Sequence, residues 1–149
     1  MSFSSKKDAD EYMGVPTVRT SGYIIYTDGA CSNNGTSNTV AGIGIYFPDG
    51  DRKNISEKFN RDRPSNQRAE VLAVIRALEE VPYGDIEIRT DSRYTIDSMT
   101  NWIFSWLKNG WKKNTVVNRD LLEELYTMIS NRDGKVSFHS CRWSFQQLW

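Results

Sequence analysis

Residues 23–47 read YIIYTDGACSNNGTSNTVAGIGIYF, and the fold follows from this stretch. Tyr23, Ile24, Ile25 and Tyr26 form a β-branched and aromatic run that Asp28-Gly29 stops, so a buried strand is expected to end at Asp28. The polar segment CSNNGTSNT then turns the chain into AGIGIYF, where Ile43, Ile45 and Phe47 fall at alternate positions with the glycines Gly42 and Gly44 among them. A PDGD turn and a third run, RKNISEKF, complete an antiparallel meander of three strands.

Outward from the meander the period changes. Ser65 is a cap for NQRAEVLAVIRALEE, in which Val71, Ile75 and Leu78 share a helical face with Leu72 beside them. Pro82-Tyr83-Gly84 ends that helix, and DIEIRTDS is an alternating strand with Ile86 and Ile88 on one side, finishing at Asp91. A helix is expected from Ser92 to about Leu107, stopped by Asn109-Gly110. Another is marked by Leu121, Leu125, Met128 and Ile129 before Gly134, and a last strand runs from Lys135 to about Phe138. This order describes an α/β protein with a mixed sheet flanked by helices. Residues 1–21 carry few large apolar side chains and no period, and read as a flexible leader.

At 149 residues, 38% of them hydrophobic, the chain suits one domain. The 19 basic and 19 acidic residues cancel, and the pI is near 6.6, so attraction to a polyanion has to come from a local patch. One candidate lies between Asp97 and Asp120, where no acid occurs while Lys108, Lys112, Lys113 and Arg119 stand among three tryptophans. A solvated helix face is the plainer reading of the same residues. Cys31 and Cys141 are far apart with no metal-ligand spacing, which argues against a disulfide scaffold and for an intracellular address. Nucleus or cytoplasm is expected and a mitochondrial location stays open, although Asp8, Asp10 and Glu11 suit a presequence poorly. No apolar run spans a bilayer, so no membrane role is expected, and no obligate protein partner is indicated.

Asp28 and Asp91 both fall at expected strand ends, where open α/β sheets place their ligands, and Glu70 lies in the first turns of the following helix. If the two strands are neighbours under that helix, three carboxylates converge. Like charges so placed call for a cation, and hard oxygen donors suit Mg²⁺ or Mn²⁺, whose paired ions cleave phosphodiesters. Taken singly, each acid is equally well a cap, a turn residue or half of an ion pair.

Five ordered words, YTDGACSNNG, AGIGIYF, SNQRAEVLAVIRALE, IRTDSRYTI and TNWIFSWLKNGWKK, resemble the eukaryotic type-one ribonuclease H family from about Tyr23 to Phe138. The resemblance implies the ribonuclease H-like fold, with a five-stranded mixed sheet, and an endonuclease that hydrolyses the RNA strand of RNA–DNA hybrids with two metal ions. It assigns Asp28, Glu70 and Asp91 as catalytic metal ligands, with Asp28 bridging the ions. Asn34, Asn66 and Gln67 resemble the residues that touch the RNA strand. Arg63, Ser65 and Asn118 resemble a pocket for a DNA phosphate, and Trp102 and Trp106 a DNA-strand channel. Turn and cap chemistry accounts equally for Asn34, and a core stripe for the two tryptophans at i, i+4.

The chain departs from the family after Phe138. The glycine-histidine loop and the final helix with its fourth acid are absent, and no Asp or Glu follows Asp133. His139 reads as a strand-end histidine. His139 to Phe145 can be reread out of frame as Ile-His-Val-Ala-Gly-His-Ser, so residues 139–149 are expected to be a non-family tail from a frameshift, retained intron or mispredicted gene. Loss of the fourth acid implies impaired cleavage, and the competing function is a defective protein that still binds hybrids. A different nuclease or integrase on a related fold is disfavoured by the NQRAE and TNW words.

Overall fold

The computed structural model describes residues 22–33 and 37–142, without the side chains of Lys113 and Asn114. Asn34, the 1–21 leader and residues 143–149 therefore lie outside the described residues. Strands β1 (Tyr23–Ser32), β2 (Val40–Tyr46) and β3 (Ile55–Lys58) form the expected meander. Helix α1 (Asn66–Glu80) leads to β4 (Ile86–Thr90). Then come α2 (Arg93–Asp97), a π-helical turn (Ser98–Trp102), α3 (Ile103–Lys108), α4 (Gly110–Asn114), α5 (Arg119–Asn131) and β5 (Val136–Ser140). The sheet order is β3-β2-β1-β4-β5, with β4 parallel to both β1 and β5.

β1 corrects one expectation. It does not end at Asp28 but continues to Ser32, because β2 pairs with it as far as Ser32↔Val40. Asp28-Gly29 is therefore no turn, and Asp28 lies opposite Gly44. What does end nearby is the parallel pairing with β4, whose last pair is Tyr26↔Arg89.

Ser65 caps α1, its hydroxyl accepting from the Arg68 N–H at 3.1 Å. The helix is buried around most of its girth, since Ala69, Ala73 and Ala77 are enclosed as fully as Val71, Val74 and Ile75. One side meets Ile25, Ile43, Ile45, Ile86 and Ile88 of the sheet, and another meets Leu121, Leu122 and Leu125 of α5. β4 is buried on both faces, as suits an inner parallel strand. Its polar residues Glu87 and Arg89 form an ion pair at 2.6 Å, and Arg89 also donates to the Tyr26 hydroxyl at 3.0 Å. His139 lies in β5 as expected, 3.6 Å from Glu87. That strand stays in register past Phe138, and the Cys141 N–H donates to the Thr90 carbonyl.

The helical stretch after Ser92 ends at Lys108 but carries an unexpected π turn. Beyond Asn109, Gly110, Trp111 and Lys112 are consecutively left-handed, with φ of 64°, 59° and 50°. Among the described residues no helix is long and apolar enough to cross a membrane.

Candidate active site

Gly29 brings the acids together. A Cβ at this position would lie 2.3–2.5 Å from backbone atoms of Ala69 and Glu70, so only glycine lets β1 press against the first turns of α1. Gly29, which follows Asp28, is thereby set against the backbone of Ala69 and Glu70. Two residues beyond the last β1–β4 pair stand Asp28 on one strand and Asp91 after the other, so the register leaves them side by side at the end of the seam. Their order along the chain is remote, but their place in the sheet is shared.

The Glu70 carboxyl is pushed above the usual carboxylate range chiefly by burial, with further contributions from the charges of Asp91 and Asp28. A hydrogen bond from the Ser92 hydroxyl, 2.6 Å from Glu70 Oε2, opposes that rise. Asp91 is likewise raised by partial burial of its carboxyl, against a backbone hydrogen bond that lowers it. Ser92 has one proton, and it goes to Glu70. Its oxygen accepts from the Thr95 N–H at 3.1 Å and the Thr95 hydroxyl at 2.8 Å, so the hydroxyl is held from three sides.

The charges of Asp28 and Asp91 reach Glu70, but the three carboxylates do not close on one another. Among the described residues, no three His, Cys, Asp or Glu side chains are drawn up at metal-ligating separation. Alternation along β1 explains this, because Asp28 faces away from the side on which Ile25 and Gly29 meet α1. The donor set nevertheless fits a hard divalent cation: mutually repelling carboxylates, with one oxygen already anchored by a hydroxyl.

Asn66 and Gln67 are exposed one helical turn before Glu70, on the same side of α1. Arg63 is exposed, with φ of 50°, and pairs with Asp62 at 3.3 Å and Asp120 at 3.5 Å. Ser65 is occupied as the α1 cap. Asn118 is buried and left-handed: its Oδ1 accepts from Arg68 and its Nδ2 donates to the Tyr94 hydroxyl. One amide N–H is left for anything outside.

The two tryptophans divide. Trp102 is 41% exposed and open to a ligand, whereas Trp106 is 9% exposed and stacks on Trp111 with centroids 5.4 Å apart. Tyr94, which the sequence reading passed over, stands edge-on to Trp102 at 6.4 Å and links it to Asn118. Its signal was its place three residues after Asp91, on the first turn of a helix leaving the crevice. Lys108 and Lys112 are exposed, while Arg119 lies over Trp111 and pairs with Glu123.

The five-stranded mixed sheet in the order β3-β2-β1-β4-β5, flanked by helices, defines an α/β protein of the ribonuclease H-like fold class. The RNase H family model matches residues 20–142. Ribonuclease H1 of Rattus norvegicus is 38% identical over 133 residues, covering 85% of this chain and 44% of the relative. Ribonuclease H of Clostridium botulinum is 38% identical over 117 residues, covering 75% and 78%. The crystal structure of LC11-RNase H1 in complex with an RNA/DNA hybrid shares the fold, with a TM-score of 0.58, 21% identity and coverage of 83% and 86%. This chain belongs to the RNase H family, in its type-one branch. It spans about half the length of the eukaryotic relatives it matches.

Proposed function

We propose that this chain is an endonuclease that hydrolyses the RNA strand of RNA–DNA hybrids, with Asp28, Glu70 and Asp91 holding divalent cations. The observation that supports the reading is the register that puts Asp28 and Asp91 each two residues past the last β1–β4 pair, with their charges acting on Glu70, in a member of the RNase H family. A related fold that binds an RNA/DNA hybrid supports it. When bound, a pair of Mg²⁺ or Mn²⁺ ions supplies an activated water and stabilises the leaving oxygen.

The chain's own groups do the rest. Ser92 fixes the orientation of the Glu70 carboxylate. Asn66 and Gln67 present amides that both donate and accept, which suits ribose 2′-hydroxyls. The open face of Trp102 suits a deoxyribose or base of the other strand, and Arg63 a phosphate of that strand.

A second reading, a hybrid-binding protein with weakened cleavage, is favoured by one observation: among the described residues no three His, Cys, Asp or Glu side chains stand at metal-ligating separation. Incubation with an end-labelled hybrid and Mg²⁺ separates the two. Products ending in 3′-hydroxyls that disappear with Asp91→Asn support the nuclease. Binding without products supports the second reading, and equal cutting of duplex DNA overturns both.

A further inference from the structure

Arg68 lies two residues before Glu70, is 2% exposed, and has every guanidinium N–H engaged. Its Nε donates to the Asp62 carbonyl at 3.1 Å. Nη1 donates to Asp120 Oδ1 at 2.8 Å and Asn118 Oδ1 at 3.4 Å, and Nη2 to Asp120 Oδ2 at 2.8 Å and Asp62 Oδ1 at 3.1 Å. Five donors meet five acceptors, so the group has no slack. These contacts tie together three pieces of chain: the loop bearing Arg63, the start of α1 bearing Asn66 and Gln67, and the start of α5 bearing Asn118.

The two acids that hold Arg68 are also the two that Arg63 touches. From Asn118 the connection runs through its amide to the Tyr94 hydroxyl and then to the edge of Trp102. Arg63 is a non-glycine residue held left-handed, at φ of 50°, a conformation that persists only where the surroundings over-determine it, while Asn118 at 65° is of a type that enters this region readily. Fold stability alone does not call for such a knot, because buried ion pairs are often matched by apolar packing. This one joins the groups assigned above to the DNA strand.

We propose that Arg68 is a positioning residue for the DNA strand, fixing the distance between the phosphate-facing Arg63 and the open face of Trp102. The inference rests on the proposed hybrid-binding function. A rigid distance between two contacts on one strand selects helix shape, and so favours a hybrid over an all-RNA duplex.

The test is the ratio of dissociation constants for an RNA–DNA hybrid and the RNA duplex of the same sequence, measured by fluorescence anisotropy in metal-free buffer. Arg68→Lys keeps the charge but loses the planar fork, and is expected to weaken hybrid binding about tenfold and shrink the preference for hybrid by a similar factor. Should Arg68→Lys lack a cooperative melt, Asp120→Asn carries the test, since it leaves the Asp62 contacts of Arg68 in place. An unchanged preference in folded variants, whatever their melting temperature, overturns the proposal and leaves the function standing. A parent chain with no preference for hybrid overturns both.

Discussion

Glu70 carries a charge that its surroundings resist. Its raised pKa means that the folded state binds the proton more tightly than the unfolded chain does. The metal-free protein therefore loses stability as pH rises through that raised value, and regains it as pH falls toward the ordinary carboxylate range. Glu70→Gln removes the penalty at every pH and keeps an oxygen for the Ser92 hydroxyl. In chelator at pH 7 the variant is expected to melt at a higher temperature than the parent and to have no hydrolytic activity. The gap should narrow at pH 5, and added Mg²⁺ should raise the melting point of the parent more than that of the variant. Melting curves under these conditions check all three, and a variant that melts lower at pH 7 refutes the argument. Glu70 and Asp91 have local signatures in the sequence, a first helical turn and a strand end, whereas Asp28 was singled out by a strand end that β2 carries on to Ser32. Ser92 and Arg68 were not legible, since their roles lie in partners such as Glu70 and Asp120, tens of residues away in sequence.

Among the elements, the meander, α1, β4, α5 and β5 follow from period and caps. The misreadings came where a local signal was overruled. Asp28-Gly29 looks like a stop, but β2 keeps the strand paired, and the glycine serves the approach of α1 instead. The π turn at Ser98–Trp102 has no sequence signature, so the i, i+4 spacing of Trp102 and Trp106 gave no sign that one ring would be open and the other buried. The left-handed turn at Gly110–Lys112 has only its glycine to announce it. Such a conformation costs an ordinary residue about 1–2 kcal/mol, here held by Trp111 between Trp106 and Arg119. Lys112 is exposed, so Lys112→Gly should relieve the strain and stabilise the protein by about 0.5–1 kcal/mol in urea unfolding, after the added entropy of the unfolded glycine is deducted. The same change removes a cation from the basic lobe, so weaker hybrid binding should accompany the gain in stability.

For the molecule as a whole, zero formal charge conceals polarity, because the segment between Asp97 and Asp120 holds basic residues and no acid. Hybrid affinity should fall linearly with salt on logarithmic axes, with a slope set by this lobe rather than by net charge. Lys108→Ala is expected to reduce that slope by about one contact, roughly 0.9 on the scale of duplex DNA. Lys53→Ala, in the β2–β3 turn at the far end of β1, should leave it unchanged. Titrations at several salt concentrations decide this, and equal effects of the two substitutions would refute the assignment of the lobe. The close approach at Gly29 also bears on how the protein is made. A nascent chain that has emerged through α1 presents two of the three acids, and the third arrives with β4, whose far edge is filled by the final strand. Under the proposed function, the three acids cannot meet until β4 has been made and has paired with β1.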